Sequence, residues 1–231
     1  MAIYTIADLH LSLSSQKSME KFSGWENYVA RLEENWRSTV GEGDTVVLPG
    51  DISWGMSLQE SLEDFRFLHS LPGEKLLGKG NHDYWWNSKS KMEQFFEDNG
   101  LSSLKILHNN SIVREGLVLC GSRGWLFEKG EPHDQKILAR EAGRLALSLS
   151  SAEGLEGERV AFLHYPPVFG EEVSPEILQV LHQYGVKRCY YGHIHGYGHN
   201  LALNGIYEGI SFSLVSADYL KFRPIKVVNE G

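Results

Sequence analysis

Residues 2–10 read Ala2-Ile3-Tyr4-Thr5-Ile6-Ala7-Asp8-Leu9-His10, an alternating β-forming run that stops at an acid and an imidazole two positions apart. The alternation predicts a strand over residues 2–7. The spacing of two lets the Asp8 and His10 side chains point to one side. Four later segments repeat the arrangement, each after a short apolar run: Gly50-Asp51, Gly80-Asn81-His82-Asp83, His164 and Gly192-His193-Ile194-His195-Gly196. Alone, each reads as a turn residue, a cap or a hydrogen-bonded core histidine. Together, Asp8, His10, Asp51, Asn81, His164, His193 and His195 recur at equivalent strand ends, with glycine where the backbone must turn sharply. That recurrence reads as one site.

Helical periodicity fills the intervals between these strands. Trp25, Tyr28, Val29, Leu32 and Trp36 mark one helix. Leu58, Leu62, Phe65 and Leu68 follow the candidate cap Ser57, and Met92, Phe95 and Phe96 lead to the stop Gly100. Residues 105–107, 111–114 and 117–120 predict a meander. A polar loop over 122–133 then leads to a helix over 136–149, and Ser174-Pro175-Glu176 opens another. Asn204-Gly205, between the runs 201–203 and 206–207, predicts a hairpin. No linker interrupts this order, so the expectation is a single domain over residues 1–231, of α/β class, with two packed sheets and helices outside them. All five polar segments then fall at the C-terminal ends of strands expected to be parallel neighbours, the edge where open α/β sheets bind ligands.

Composition narrows the partners. The formal charge of −8 disfavours long nucleic acid. Cys120 and Cys189 each sit inside an apolar run and read as core thiols, so an oxidising compartment is not indicated. The apolar start meets Asp8 with no basic region before it, and no apolar run approaches a membrane span. A cytoplasmic location is the expectation.

The chemistry follows from the donor types. Asp51 has two carboxylate oxygens and can bridge two cations, whereas Asn81 offers a neutral oxygen. Mixed oxygen and imidazole donors without cysteine suit two divalent metal ions of the Mn, Fe, Zn or Ni kind. The set Asp8-x-His10, Gly50-Asp51, Gly80-Asn81-His82-Asp83, His164 and Gly192-His193-x-His195 resembles the calcineurin-like (purple-acid-phosphatase type) binuclear metallophosphoesterase superfamily from residue 4 to about 196. The resemblance implies a four-layer αββα sandwich, two mixed sheets flanked by helices. It also implies one metal on Asp8, His10, Asp51 and His195, and a second on Asp51, Asn81, His164 and His193. The implied reaction is hydrolysis of a phosphate mono- or diester by a hydroxide held between the metals. His82 is the implied catalytic histidine, and Asp83 is read as polarising it. The expected partner is a small phosphorylated substrate, and the aromatic residues Trp54, Tyr84, Trp85 and Trp86 offer a platform for a nucleotide-like ring. Arg123 is a candidate phosphate clamp, and Tyr165 and His199 are candidates to support the ligands. The rival reading is a non-catalytic scaffold of the same fold, which would be expected to lack His82 or several ligands.

Overall fold

The computed structural model describes residues 1–15, 17–126 and 135–227. A five-stranded sheet contains β1 (Ile3–Thr5), β2 (Thr45–Leu48), β3 (Glu74–Leu77) and β4 (Leu104–Ile106) in parallel, with β13 (Ile225–Lys226) antiparallel beside β1. A six-stranded sheet holds β5 (Asn110–Arg114), β6 (Leu117–Ser122), β7 (Glu158–Leu163), β10 (Arg188–Tyr191), β11 (Gly205–Tyr207) and β12 (Ile210–Leu214). Its inner strands run in the order β12-β10-β7-β6, all parallel, with antiparallel strands at both edges. A short hairpin, β8 (Val168–Phe169) with β9 (Glu172–Val173), stands apart.

Three cores separate four layers. Helices α1 (Tyr28–Thr39), α2 (Leu62–Ser70) and α3 (Lys89–Asp98) cover one face of the first sheet, around Trp36, Phe65, Met92 and Phe96. Tyr28, Leu32 and Trp36, spaced four apart, form the buried stripe of α1, and Trp36 Nε1 donates to the Pro72 carbonyl at 2.9 Å. Helices α4 (Gln135–Ser150) and α5 (Pro175–Gln183) cover the second sheet, around Leu145, Leu149, Ile177 and Leu181. The third core lies between the sheets and includes Val47, Leu76, Leu119, Val160 and Phe162. Strands covered on both faces have no polar side to show. Thr45-Val46-Val47-Leu48 is accordingly buried throughout. The fold is the mixed α/β sandwich with two helix-flanked sheets that the sequence implied. Cys120 and Cys189 are free and buried, as expected of core thiols.

Three expectations need correction. Residues 105–120 are not one meander, because β4 completes the first sheet while β5 and β6 open the second. The chain changes sheet near Leu107, which joins the core between them. The C-terminal hairpin turns at Glu208-Gly209, both at positive φ (46° and 77°), rather than at Asn204-Gly205. Asn204 Oδ1 instead accepts from the Leu214 amide, which places it beside the hairpin. Finally, α2 starts at Leu62; Ser57 caps only the preceding turn, accepting from the Glu60 amide at 3.2 Å. The polar loop expected over 122–133 lies outside the described residues from 127 onward.

The two sheets meet at the end of β1. The Ala7 amide donates to the Val215 carbonyl at 2.8 Å, and the Ala217 amide donates to the Ala7 carbonyl at 2.9 Å. Asp8 therefore follows the seam directly. Asp51 and Asn81 reach it from β2 and β3, and His164, His193 and His195 reach it from β7 and β10.

Candidate metal centre

All seven predicted ligands converge at this seam. His10 and His195 bring their Nε2 atoms to 3.3 Å of one another, and Asp8 Oδ1 lies 3.9 Å from His195 Nε2. His164 Nε2 lies 2.6 Å from Asn81 Oδ1, and His193 Nδ1 lies 3.1 Å from the same oxygen. Asp51 stands between the two groups: its Oδ2 is 3.7 Å from His10 Nε2 and 3.6 Å from His164 Nε2. Asp8, His10 and His195, and likewise Asp8, Asp51 and His164, each hold ligand atoms mutually within 4.8 Å. Such spacings match the edges of coordination polyhedra built on bonds of about 2.0–2.2 Å.

The backbone is bent to achieve this. Asp8, His10, Asp51 and His193 all adopt left-handed φ, at 59°, 46°, 52° and 73°. Residues other than glycine rarely adopt such values, and they cluster where a site dictates side-chain direction. Glycine appears where no side chain fits. A Cβ on Gly80 would fall 2.0 Å from Asp51 Oδ1, and one on Gly192 would fall 2.5 Å from Asp8 Oδ2.

Burial sets the charge states. It drives His10 and His164 well below the usual imidazole range and takes His193 down to about 4, with neighbouring imidazoles adding to the effect. These are neutral rings with lone pairs to offer. Burial raises Asp8 to about 6 and Asp51 well above the carboxylate range, Asp51 also through repulsion from Asp83 and Asp8. For His195 burial pulls downward, but the hydrogen bond to Asp218 and the charges of Asp8 and Asp218 prevail and raise it. Neutral imidazoles packed against crowded, desolvated carboxylates form an environment that a divalent cation relieves. The donor set therefore fits divalent metal.

Hydrogen bonds outside the cage orient two of the rings. His164 Nδ1 lies 3.2 Å from the Pro49 carbonyl, which leaves Nε2 as its free donor atom. His195 Nδ1 lies 2.9 Å from Asp218 Oδ1, with the same consequence. Asp218 also accepts from the Gly196 amide at 3.1 Å and sits 3.2 Å from His199 Nε2. Sequence reading missed Asp218. It is a lone acid 23 residues after His195, with no local motif to mark it. The Tyr165 ring lies 4.3 Å from that of His193, as expected, whereas His199 meets Asp218 and not a candidate ligand.

Asp83 overturns the role read for it. Its carboxylate does not reach the His82 ring. It accepts from the amides of Gly80, Asp51 and Ile52 at 2.7–2.8 Å, from Ser53 at 3.3 Å, and from Trp85 Nε1 at 3.0 Å. Asp83 therefore ties the β2 and β3 loops together. His82 Nδ1 instead meets the Tyr84 hydroxyl at 3.2 Å, while its amide donates to Asp51 Oδ1 at 2.8 Å. Burial, then His195 and Lys17, holds His82 below the ordinary imidazole range.

The expected substrate platform divides. Trp85 is fully buried against Phe65 and has no surface to present; its indole supports Asp83. Trp86 packs on Trp85 and His108. Trp54 does reach the site, stacked on His10 at 4.9 Å and 4.5 Å from the His82 ring. Arg123 is bound to buried Glu141 at 3.0 Å and lies over the Trp125 ring, with its carbonyl accepting from the His164 amide.

No curated protein matches the chain significantly in sequence. Solved structures share the fold: a phosphopantetheinyl hydrolase from Mycobacterium tuberculosis has a TM-score of 0.59 at 14% identity, with 99% of this chain and 96% of that one covered. An Aquifex aeolicus protein of unknown function, AQ665, has a TM-score of 0.54 at 14% identity over 97% and 95% of the two chains. The protein TT1561 of Thermus thermophilus has 0.52 at 13% over 84% and 81%. The calcineurin-like phosphoesterase family model matches residues 1–197, a span that takes in all seven converging side chains, and the chain belongs to that family.

Proposed function

We propose that the protein hydrolyses a phosphate mono- or diester at a centre of two divalent metal ions. Family membership implies metal-dependent phosphoester hydrolysis; the binuclear arrangement and the residue roles are our reading. The observation that carries it is the position of Asp51 Oδ2, nearly equidistant from His10 Nε2 and His164 Nε2 at 3.7 and 3.6 Å. One carboxylate between two donor groups is what a pair of ions requires. Asp8, His10, Asp51 and His195 would hold one ion, and Asp51, Asn81, His164 and His193 the other. Bound divalent ions would supply Lewis-acid charge for phosphoryl oxygens and acidify a water.

The chain's own residues do the rest. Asp83 fixes the Asp51 and Asn81 loops through the amides it gathers, and Asp218 holds the His195 ring. With the Tyr84 hydroxyl donating to His82 Nδ1, the neutral His82 ring would carry its N–H at Nε2 and donate a hydrogen bond to a phosphoryl or leaving-group oxygen, stabilising the charge that develops there. Trp54 walls the space beside His82, and the Arg123 carbonyl holds the His164 amide while its guanidinium is committed to Glu141. A scaffold without catalysis would not need a neutral His82 aimed past an intact ligand set. Hydrolysis of bis-p-nitrophenyl phosphate and p-nitrophenyl phosphate, abolished by chelation and restored by Mn, is the expected result. No turnover with any of Mn, Fe, Zn or Ni would favour the scaffold.

A further inference from the structure

We propose that a groove beside the metal centre, between the 3-10 turns Met19–Lys21 and Gly196–Asn200, receives an uncharged apolar or aromatic group of the phosphorylated substrate. This rests on the phosphoesterase reading and adds the chemical class of the organic part. The groove has a volume of about 410 Å³ and is walled by Met19, Phe22, Trp25, His195, Tyr197 and Asp218. Small-molecule sites run from about 300 to 1,000 Å³, so a ring or short chain fits and a protein segment does not.

Position ties the groove to the reaction. His195 belongs both to the ligand cage and to the groove wall. Trp25 packs edge-on against His195 at 5.7 Å and against His10 at 5.8 Å. A group in the groove would therefore lie against the same imidazole that faces the cage.

The lining sets the chemistry. Neither Lys nor Arg lines the groove, and its one carboxylate, Asp218, is already engaged with His195 and the Gly196 amide. Lys21 Nζ lies over the Phe22 ring at 5.2 Å, outside the lining; the lining itself offers a second phosphate no cation. Phe22 is 49% exposed and Tyr197 95% exposed. Tyr197 is held outward by the turn at Gly196, whose φ is 52° and whose amide is tied to Asp218. Exposed aromatic area at the lip of a groove gains about 25 cal/mol per Å² when an apolar partner covers it.

The test is binding of phosphonates to the Mn-loaded protein, measured by calorimetry. Hexyl- and phenylphosphonate should bind about tenfold tighter than methylphosphonate, the equivalent of ~1.4 kcal/mol. Phe22→Ser and Tyr197→Ser should each remove most of that gain while methylphosphonate affinity stays within about twofold. Equal affinity for all three ligands in the unaltered protein would overturn the groove assignment and leave the phosphoesterase reading standing. So would variants that weaken methylphosphonate as much as the larger ligands, since those residues would then support the cage. Self-association lost on Tyr197→Ser, with no change in phosphonate preference, would assign the face to a second copy of the chain and also overturn the proposal. Failure of both methylphosphonate and inorganic phosphate to bind the metal-loaded protein would instead remove the reading underneath.

Discussion

Four of the seven converging residues hold a left-handed backbone that costs about 1–2 kcal/mol for a residue with a Cβ. Such a cost persists only where side-chain direction matters more than local comfort. Within the cage, therefore, individual atoms carry the function, and three substitutions separate their roles. Asp51→Asn should release metal, measurable by elemental analysis, because it removes the charge shared by both donor groups. His82→Ala should keep its metal and lose about 10²–10⁴ in turnover; a fully active variant would remove His82 from the mechanism. Asp218→Asn should weaken metal affinity about 10–100-fold, since it no longer fixes the His195 ring. Chelator competition reads that directly, and unchanged affinity would reduce Asp218 to a loop tie. A fourth residue, His108, acts on stability alone. Burial, then the charges of Lys79, Arg144 and Arg123, pulls it down to about 3. It is neutral when folded but protonated when unfolded below the ordinary value of 6.5, so it subtracts stability as pH falls from 6.5 toward 3 and nothing above. At pH 4.5 the loss is roughly 2–3 kcal/mol. His108→Gln should shrink the loss of unfolding free energy between pH 7 and 4.5, read by urea titration, by that amount, whereas equal losses in both proteins would acquit His108.

At the scale of elements, the decisive objects are the strand ends, two of which, β3 and β10, pass directly into glycine. Gly192 ends β10 with its Cα against Asp8, leaving 2.5 Å where a methyl group would stand. Gly192→Ala should therefore displace Asp8, lower metal content and cost about 1–3 kcal/mol through overpacking. Normal metal content in that variant would show that the β1 and β10 ends can separate without harm. These junctions were legible because a strand, a glycine and a donor are adjacent in sequence. The C-terminal hairpin was less so. Asn204-Gly205 has the better turn chemistry, yet pairing of Ile206 with Ser211 moves the turn to Glu208-Gly209, because β12 must also lie parallel to β10. Register with a third strand outweighed local preference.

Across the whole molecule, the candidate ligands belong to two different sheets. Asp8, His10, Asp51 and Asn81 come from the first, and His164, His193 and His195 from the second. Metal held by both would act as a clasp across the central core. At free metal a hundredfold above its dissociation constant, the fold should gain about 2.7 kcal/mol. For a chain of this size that raises Tm by roughly 5–10 °C. A chelator should reverse the rise, and a Tm indifferent to metal would place no ion across the seam.

The sequence by itself determined the α/β class, the family and the polar side chains that gather at the strand ends. Each of those rests on a periodicity or a donor only one to five residues from a strand end, and such local relations survive in a one-dimensional string. Only the tertiary structure decided which strands share a sheet, because β4 and β5 have similar patterns on either side of a crossover. It also gave Asp83 to the backbone amides instead of the His82 ring, buried Trp85, and brought Asp218 to His195 and Tyr197 to the groove. Those outcomes depend on which surfaces pack together, a competition among contacts far apart along the chain that no single segment records.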